Sequence, residues 1–193
     1  ILQFFSQRNI CCHTGGSIAF GPDGSLYVSA GDNSTPFDQP ASSKYKLNSY
    51  APLDDRPGFE QWDARRSSGN TNDLRGKIMR IKIKEDGTYT IPEGNLFKPG
   101  TPGTKPEIYV MGNRNPYRIS IDRKTGFLYW GEVGPDAAND SLDTHGPRGY
   151  DEVNQARKAG YFGWPLFIGN NYAYRQFDYA TGQSGSAFDA LKP

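Results

Sequence analysis

The stretch SIAFGPDGSLYVSAGD, residues 17–32, reads as two strands folded back on a turn. Ile18 to Phe20 is a short apolar run, Pro22-Asp23-Gly24 supplies turn chemistry, and Leu26 to Val28 returns apolar. The same form recurs along the chain. In GKIMRIKIKEDGTYTIP, residues 76–92, Ile78, Met79, Ile81 and Ile83 alternate with basic residues before Asp86-Gly87 turns the chain towards Tyr89. EIYVMG, residues 107–112, is a further strand, and YRISIDRKTGFLYWGEVG, residues 117–134, turns at Thr125-Gly126 and returns through Phe127 to Trp130. Antiparallel hairpins closed by D-G or T-G predict an all-β chain, and the blades of a β-propeller account for them. A β-sandwich shows the same local signals. One short helix is predicted, near Val153 to Lys158 and stopped at Gly160.

The totals agree with short strands and many turns. Of 193 residues, 23 are Gly, 14 Pro, 12 Tyr and 11 Phe, which suits strand and turn more than helix. Apolar residues make up only 35%, yet 13% aromatics is too rich for a disordered chain. The 22 basic and 21 acidic residues nearly cancel, so nucleic acid is not expected as a partner. No apolar run is long enough for a membrane span. The chain opens at Ile1 with no basic-then-apolar leader, so it is expected to be a piece of something longer or to have lost a leader. Residues 33–75 lack both periodicities and read as a long polar loop inserted within one domain, 1–193.

Three stretches carry chemistry. NICCHTGG, residues 9–16, sets Cys11 and Cys12 against His13. Haem attachment needs C-x-x-C-H, and position 9 is Asn9, so that reading fails. Structural zinc needs more Cys or His than His145 alone supplies. An ordinary packed histidine remains, although Gly15 and Gly16 allow the close backbone approach that a planar ligand requires. In MGNRNPYRISID, residues 111–122, Asn115-Pro116 constrains a loop that carries Arg114, suited to carboxylate binding or to a surface ion pair. In GEVGPDAANDSLDTHGPRGYDEVN, residues 131–154, the Gly134-Pro135 turn is followed by Asp136, Asp140, Asp143, Asp151 and Glu152. Such oxygens suit calcium or a solvated acidic loop equally.

Taken in order, HTGG with its hairpin, GNRNP, GEVGPD and YDEVNQARKAGYFGWP resemble the soluble quinoprotein sugar dehydrogenases, the glucose/sorbosone dehydrogenase family. The wording is most similar to large secreted members from Bacteroidetes-type bacteria. The resemblance implies a six-bladed β-propeller with pyrroloquinoline quinone (PQQ) and calcium on one face, this chain covering roughly the middle blades. It implies that His13 is the base that takes a proton from an aldose, and that Arg114 stabilises charge on the quinone. Asn115, Tyr117 and Cys12 fall at cofactor-contacting positions, and Gly134, Pro135, Asp151 and Glu152 at calcium-binding ones. The implied partners are an aldose, an electron acceptor such as a cytochrome or quinone, and the remaining blades of the polypeptide. The implied location is the periplasm or the cell exterior.

This chain departs from the family pattern at three positions. Cys12 stands where an acidic residue is usual, Val133 replaces a polar side chain, and Tyr117 replaces a glutamine. The family also contains non-enzymatic propellers, so a calcium-stabilised glycan- or protein-binding module is the alternative. A bond between Cys11 and Cys12 would place a small ring beside the base as a platform for the quinone; two free thiols are the other state. A six-bladed domain at about 40–50 residues per blade needs more chain than is present here.

Overall fold

The computed structural model describes residues 1–35 and 52–192; residues 36–51, part of the polar 33–75 stretch, lie outside the described residues. The turn glycines close the hairpins as expected, Gly24 and Gly126 having φ of 78° and 71°, where a side chain would be strained. Strand β1 (Ile18–Phe20) pairs antiparallel with β2 (Leu26–Ala30), Phe20 opposite Leu26. Strand β2 pairs with β3 (Lys77–Ile83), Val28 opposite Met79. The short β4 (Tyr89–Thr90) folds back on β3, whose other edge also meets β5 (Ile108–Met111).

After β5 the chain forms a second, three-stranded sheet of β6 (Pro116–Ile121), β7 (Leu128–Glu132) and β8 (Glu152–Ala156). It then returns as β9 (Gly160–Tyr161), parallel to β5, which completes the first sheet in the order β1-β2-β3-β5-β9. Two small hairpins follow, β10 (Phe167–Ile168) with β11 (Tyr172–Ala173), and β12 (Arg175–Asp178) with β13 (Gln183–Ala187). The described residues are therefore all-β, apart from two 3-10 turns at Glu60–Trp62 and Ala64–Arg66.

The helix expected near Val153 to Lys158 does not form. Glu152–Ala156 is β8, with Asn154 opposite Trp130 and Ala156 opposite Leu128. A helix this short has too few internal hydrogen bonds to offset its nucleation. The open edge of β7 offers a full ladder, and Ala156 is buried there.

The main core lies between the two sheets. Tyr27, Ile78, Tyr109 and Val110 from the first meet Leu128, Trp130 and Ala156 from the second. Fully burying side chains of this kind contributes about 1.5–3 kcal/mol each. A second cluster of Ala30, Met79, Ile108 and Met111 covers the opposite face of the first sheet, so Ile78 and Met79 are both wholly buried. Lys77, which reads as a surface residue of an alternating strand, is wholly buried too. Its Nζ donates to the carbonyls of Ser67, Ser68 and Arg75 at 2.8, 3.0 and 2.9 Å, pinning that loop to β3. Burial pushes its ammonium down to about 7.

Main-chain bonds then tie the strand-end loops into one platform. The Asp32 amide, just past β2, donates to the Arg114 carbonyl, just past β5, at 2.8 Å. Gly76 donates to Gly31, Asn113 to Gly76, and Trp164 to Gly112. Segments distant in sequence are thereby held at one end of the first sheet.

Candidate active site

His13 sits on this platform with its side chain 6% exposed and its Nδ1 3.0 Å from Oδ1 of Asp32, which is wholly buried. Asp32 is saturated with donors: Ser34 gives its amide and hydroxyl, and Trp164 gives Nε1 to Oδ2 at 2.8 Å. Burial alone would raise the Asp32 carboxyl. Its bonds to His13 and Ser34, with the charges of His13 and Arg114, outweigh burial and hold it below the ordinary carboxylate value. An ionised Asp32 accepts from Nδ1–H, so the lone pair of His13 is left on Nε2. The pair has the arrangement of an oriented general base.

Arg114 is also buried. Its Nη1 donates to the carbonyls of Val133 and Gly134 at 2.8 and 2.7 Å, and its guanidinium lies 5.9 Å from the Trp164 ring centre. Glu132 fixes the loop beneath: its Oε1 accepts the amides of Arg114 and Asn115. Burial pushes the Glu132 carboxyl up to about 8 against those two bonds, and the nearby Glu152 and Asp32 charges add to the rise. Oε2 of Glu132 and both side-chain polar atoms of Asn113 are buried with no partner among the described residues. They border a cavity of about 10 Å³ together with Arg114, Gly134 and Trp164. A wider cleft of about 470 Å³ is lined by Phe4, by Thr14 to Ile18, by Val28 to Ala30 and by Arg118 on β6.

The remaining expected site residues are distributed unevenly. Tyr117 is 52% exposed on β6, with Arg118 packed over its ring. Cys12 is bonded to Cys11, so the structure contains the ring and no free cysteine. The Gly134-Pro135 turn is not free of partners. The Gly134 carbonyl takes Arg114, its amide donates to Asp151 Oδ1 at 2.8 Å, and the Pro135 carbonyl would lie 1.7 Å from a Cβ on Gly149. Glu152 accepts from the Gly169 amide and from Asn154. No group of three or more His, Cys, Asp or Glu is placed to hold a metal among the described residues. A site here would depend on main-chain carbonyls as well, and those of Val133 and Gly134 already face a cationic group.

Asp32, Ser34, Glu132 and Trp164 belong to this candidate site without having been singled out in the sequence. Asp32 had a signal: a carboxylate directly after an apolar strand and a glycine, in SAGD. Trp164 stood within the quoted GWP motif but carried no indication that its indole would reach a residue so far back in the chain.

A model of the glucose/sorbosone dehydrogenase family matches residues 1–190. The chain belongs to that family. Among relatives, HIPL2 protein of Arabidopsis thaliana is 29% identical over 168 residues, covering 80% of this chain and 19% of that protein. Quinoprotein glucose dehydrogenase B of Acinetobacter calcoaceticus is 27% identical over 176 residues, covering 89% of this chain and 30% of that protein. Among solved structures, an oxidoreductase from Thermus thermophilus described as a glucose dehydrogenase matches with a TM-score of 0.53 and 28% identity. That match covers 87% of this chain and 37% of the other. The chain thus spans well under half the length of the family members it matches. No helix of the described residues is long and apolar enough to cross a membrane.

Proposed function

We propose that this chain is the base-bearing part of a quinoprotein aldose dehydrogenase, periplasmic or secreted, built on a six-bladed propeller whose other blades come from the same polypeptide. The observation that carries the reading is the buried Asp32–His13 pair beside Arg114. The unpartnered buried polar atoms at Asn113 and Glu132 fit a polar ligand such as PQQ. Calcium would take the Asp151 and Glu152 carboxylates with the carbonyls of Gly134 and Pro135, hard oxygen donors, in place of the Arg114 guanidinium that the Gly134 carbonyl accepts here. Arg114, Asn115, Tyr117 and Cys12 would hold PQQ. When bound, PQQ with its calcium supplies the acceptor for a hydride leaving the anomeric carbon of the sugar.

The chain's own residues supply the rest. Nε2 of His13 takes the proton of the anomeric hydroxyl, and the ionised Asp32 stabilises the imidazolium that forms. The buried Arg114 guanidinium, held by two carbonyls, is a fixed positive charge where negative charge develops. An acceptor such as a cytochrome or a quinone then takes the electrons onward.

The intact protein reconstituted with PQQ and calcium is expected to reduce a dye when given aldoses, and His13→Ala to abolish this while the fold persists. Failure to bind PQQ at micromolar concentration would overturn the reading. The exposed Tyr117 under Arg118 favours a second one, a calcium-stabilised propeller that binds glycan or protein without oxidising it. Sugar oxidation that depends on PQQ would exclude that as the main role.

A further inference from the structure

The chain has two cysteines, and they are bonded to each other immediately before His13. Cys11 is exposed, while Cys12 and His13 are half-buried. A bond between sequence neighbours closes a small ring around the peptide that joins them, which removes most of the freedom of the backbone entering His13. That residue has φ of 55°, in the left-handed region that side chains disfavour. Such a conformation persists only where its surroundings over-determine it. On the downstream side the determinants are clear. The Asn33 amide donates to the His13 carbonyl at 3.0 Å, Asp32 holds Nδ1 at 3.0 Å, and a Cβ on Gly31 would come within 2.7 Å of the His13 Cβ. On the upstream side, the Asn33 side chain holds the Gln7 amide and carbonyl at 2.7 and 3.2 Å and Ile10 is buried, and the ring is the restraint nearest His13.

We propose that the Cys11–Cys12 disulfide is a positioning element for His13 and a reducible one, so that a dithiol reductant controls whether the imidazole stays on Asp32. This rests on the reading of His13 as the base. The chemistry balances within thiol–disulfide exchange. A thiolate of the dithiol attacks Sγ of the exposed Cys11, the Cys11–Cys12 bond breaks, and Cys12 leaves as a thiolate that takes a proton. The second thiol of the reductant resolves the mixed disulfide. Two electrons and two protons pass to the cysteines, and the dithiol ends as its own disulfide. With the ring open, the left-handed backbone at His13 relaxes and the imidazole, now only 6% exposed, is freed from Asp32.

The test uses the intact protein, dithiothreitol as the reductant and hydrogen–deuterium exchange at the C2 position of individual histidine rings, read by mass spectrometry. Alkylation should find both cysteines blocked before treatment and both reactive after it. Exchange at His13 should then rise several-fold, while His145, remote in sequence and carrying no disulfide, stays unchanged. The double variant Cys11→Ser, Cys12→Ser should exchange fast at His13 without reductant and should not respond to it. Complete reduction with an unchanged His13 rate would overturn the proposal, as would two free thiols in the untreated, denatured protein. A response to dithiothreitol that survives in the double variant would overturn it too. None of these readouts needs the sugar reaction, so an inactive protein would count against the catalytic reading and leave this one to its own result.

Discussion

Asp32 and Glu132 are both buried beside Arg114, yet their carboxyls shift in opposite directions. Asp32 faces an imidazole, a hydroxyl and an indole N–H and stays ionised. Glu132 has two main-chain amides on one oxygen, none on the other among the described residues, and two acidic neighbours, and burial pushes it up to about 8. Lys77 repeats the Glu132 case with the sign reversed. Its ammonium has only main-chain carbonyls for direct partners, and burial pushes it down to about 7. Whereas an arginine such as Arg114 stays protonated against two carbonyls, at Glu132 and Lys77 backbone dipoles alone do not hold the charge. A titratable partner does, and the base is built where that partner exists.

Asp32→Asn should have the largest effect. It keeps the size but leaves Nδ1 of His13 without an ionised acceptor, so turnover in the reconstituted intact protein should fall on the order of ten-thousand-fold, as for other buried Asp–His pairs. Dye reduction measures it, and circular dichroism should show the fold intact. Because the folded Asp32 value is depressed, the stability it provides is present above the unfolded carboxylate value. That stability should be lost as pH falls through the folded value. An acid titration of wild type against Asp32→Asn should show this difference.

Next in size is Lys77→Met, which leaves three buried carbonyls without their donor and should cost on the order of 3 kcal/mol in urea unfolding. Its pH signature distinguishes it from an ordinary core defect. Between about 7 and 10.5 the unfolded chain holds a proton that the folded chain has shed, so wild-type stability should rise with pH across that window. The variant should lose this slope, and a slope that persists would mean Lys77 remains charged when buried.

Trp164→Phe tests the partner side of Asp32 more gently. It removes one hydrogen bond to a charged group, worth about 1.5–3 kcal/mol, and should lower turnover far less than Asp32→Asn. Smallest of all should be Glu132→Gln. The amide oxygen can still accept from Arg114 and Asn115, so unfolding near neutral pH should shift by less than about 1 kcal/mol. A large loss would show that Glu132 is ionised in the folded chain.

Much of the fold was legible because its determinants are local. The D-G and T-G steps at Gly24, Gly87 and Gly126 fix hairpins whatever surrounds them, and the alternation of β2 and β7 follows from one face being buried. Where the expectation failed, the deciding contacts were not local. Residues 153–158 offered too short a pattern to choose a conformation, and the free edge of β7 chose for them. Lys77 looked solvated because nothing near it in sequence announces the three carbonyls that surround it.

The site divides along the same line. His13 and Arg114 were singled out by the resemblance of their motifs, in order, to the family; the residues by themselves left a packed histidine and a surface arginine open. The adjacency of the two cysteines, which allows them to bond to each other, was readable directly. Folding decided which carboxylate serves the histidine, since Asp32 reaches His13 only when the loop after β2 folds back over the HTGG turn. It decided as well that Trp164 completes that carboxylate and that burial pushes the Glu132 carboxyl up. Partners and solvent exclusion set the state of a buried group, and both are properties of the assembled loops, absent from any single stretch of the chain.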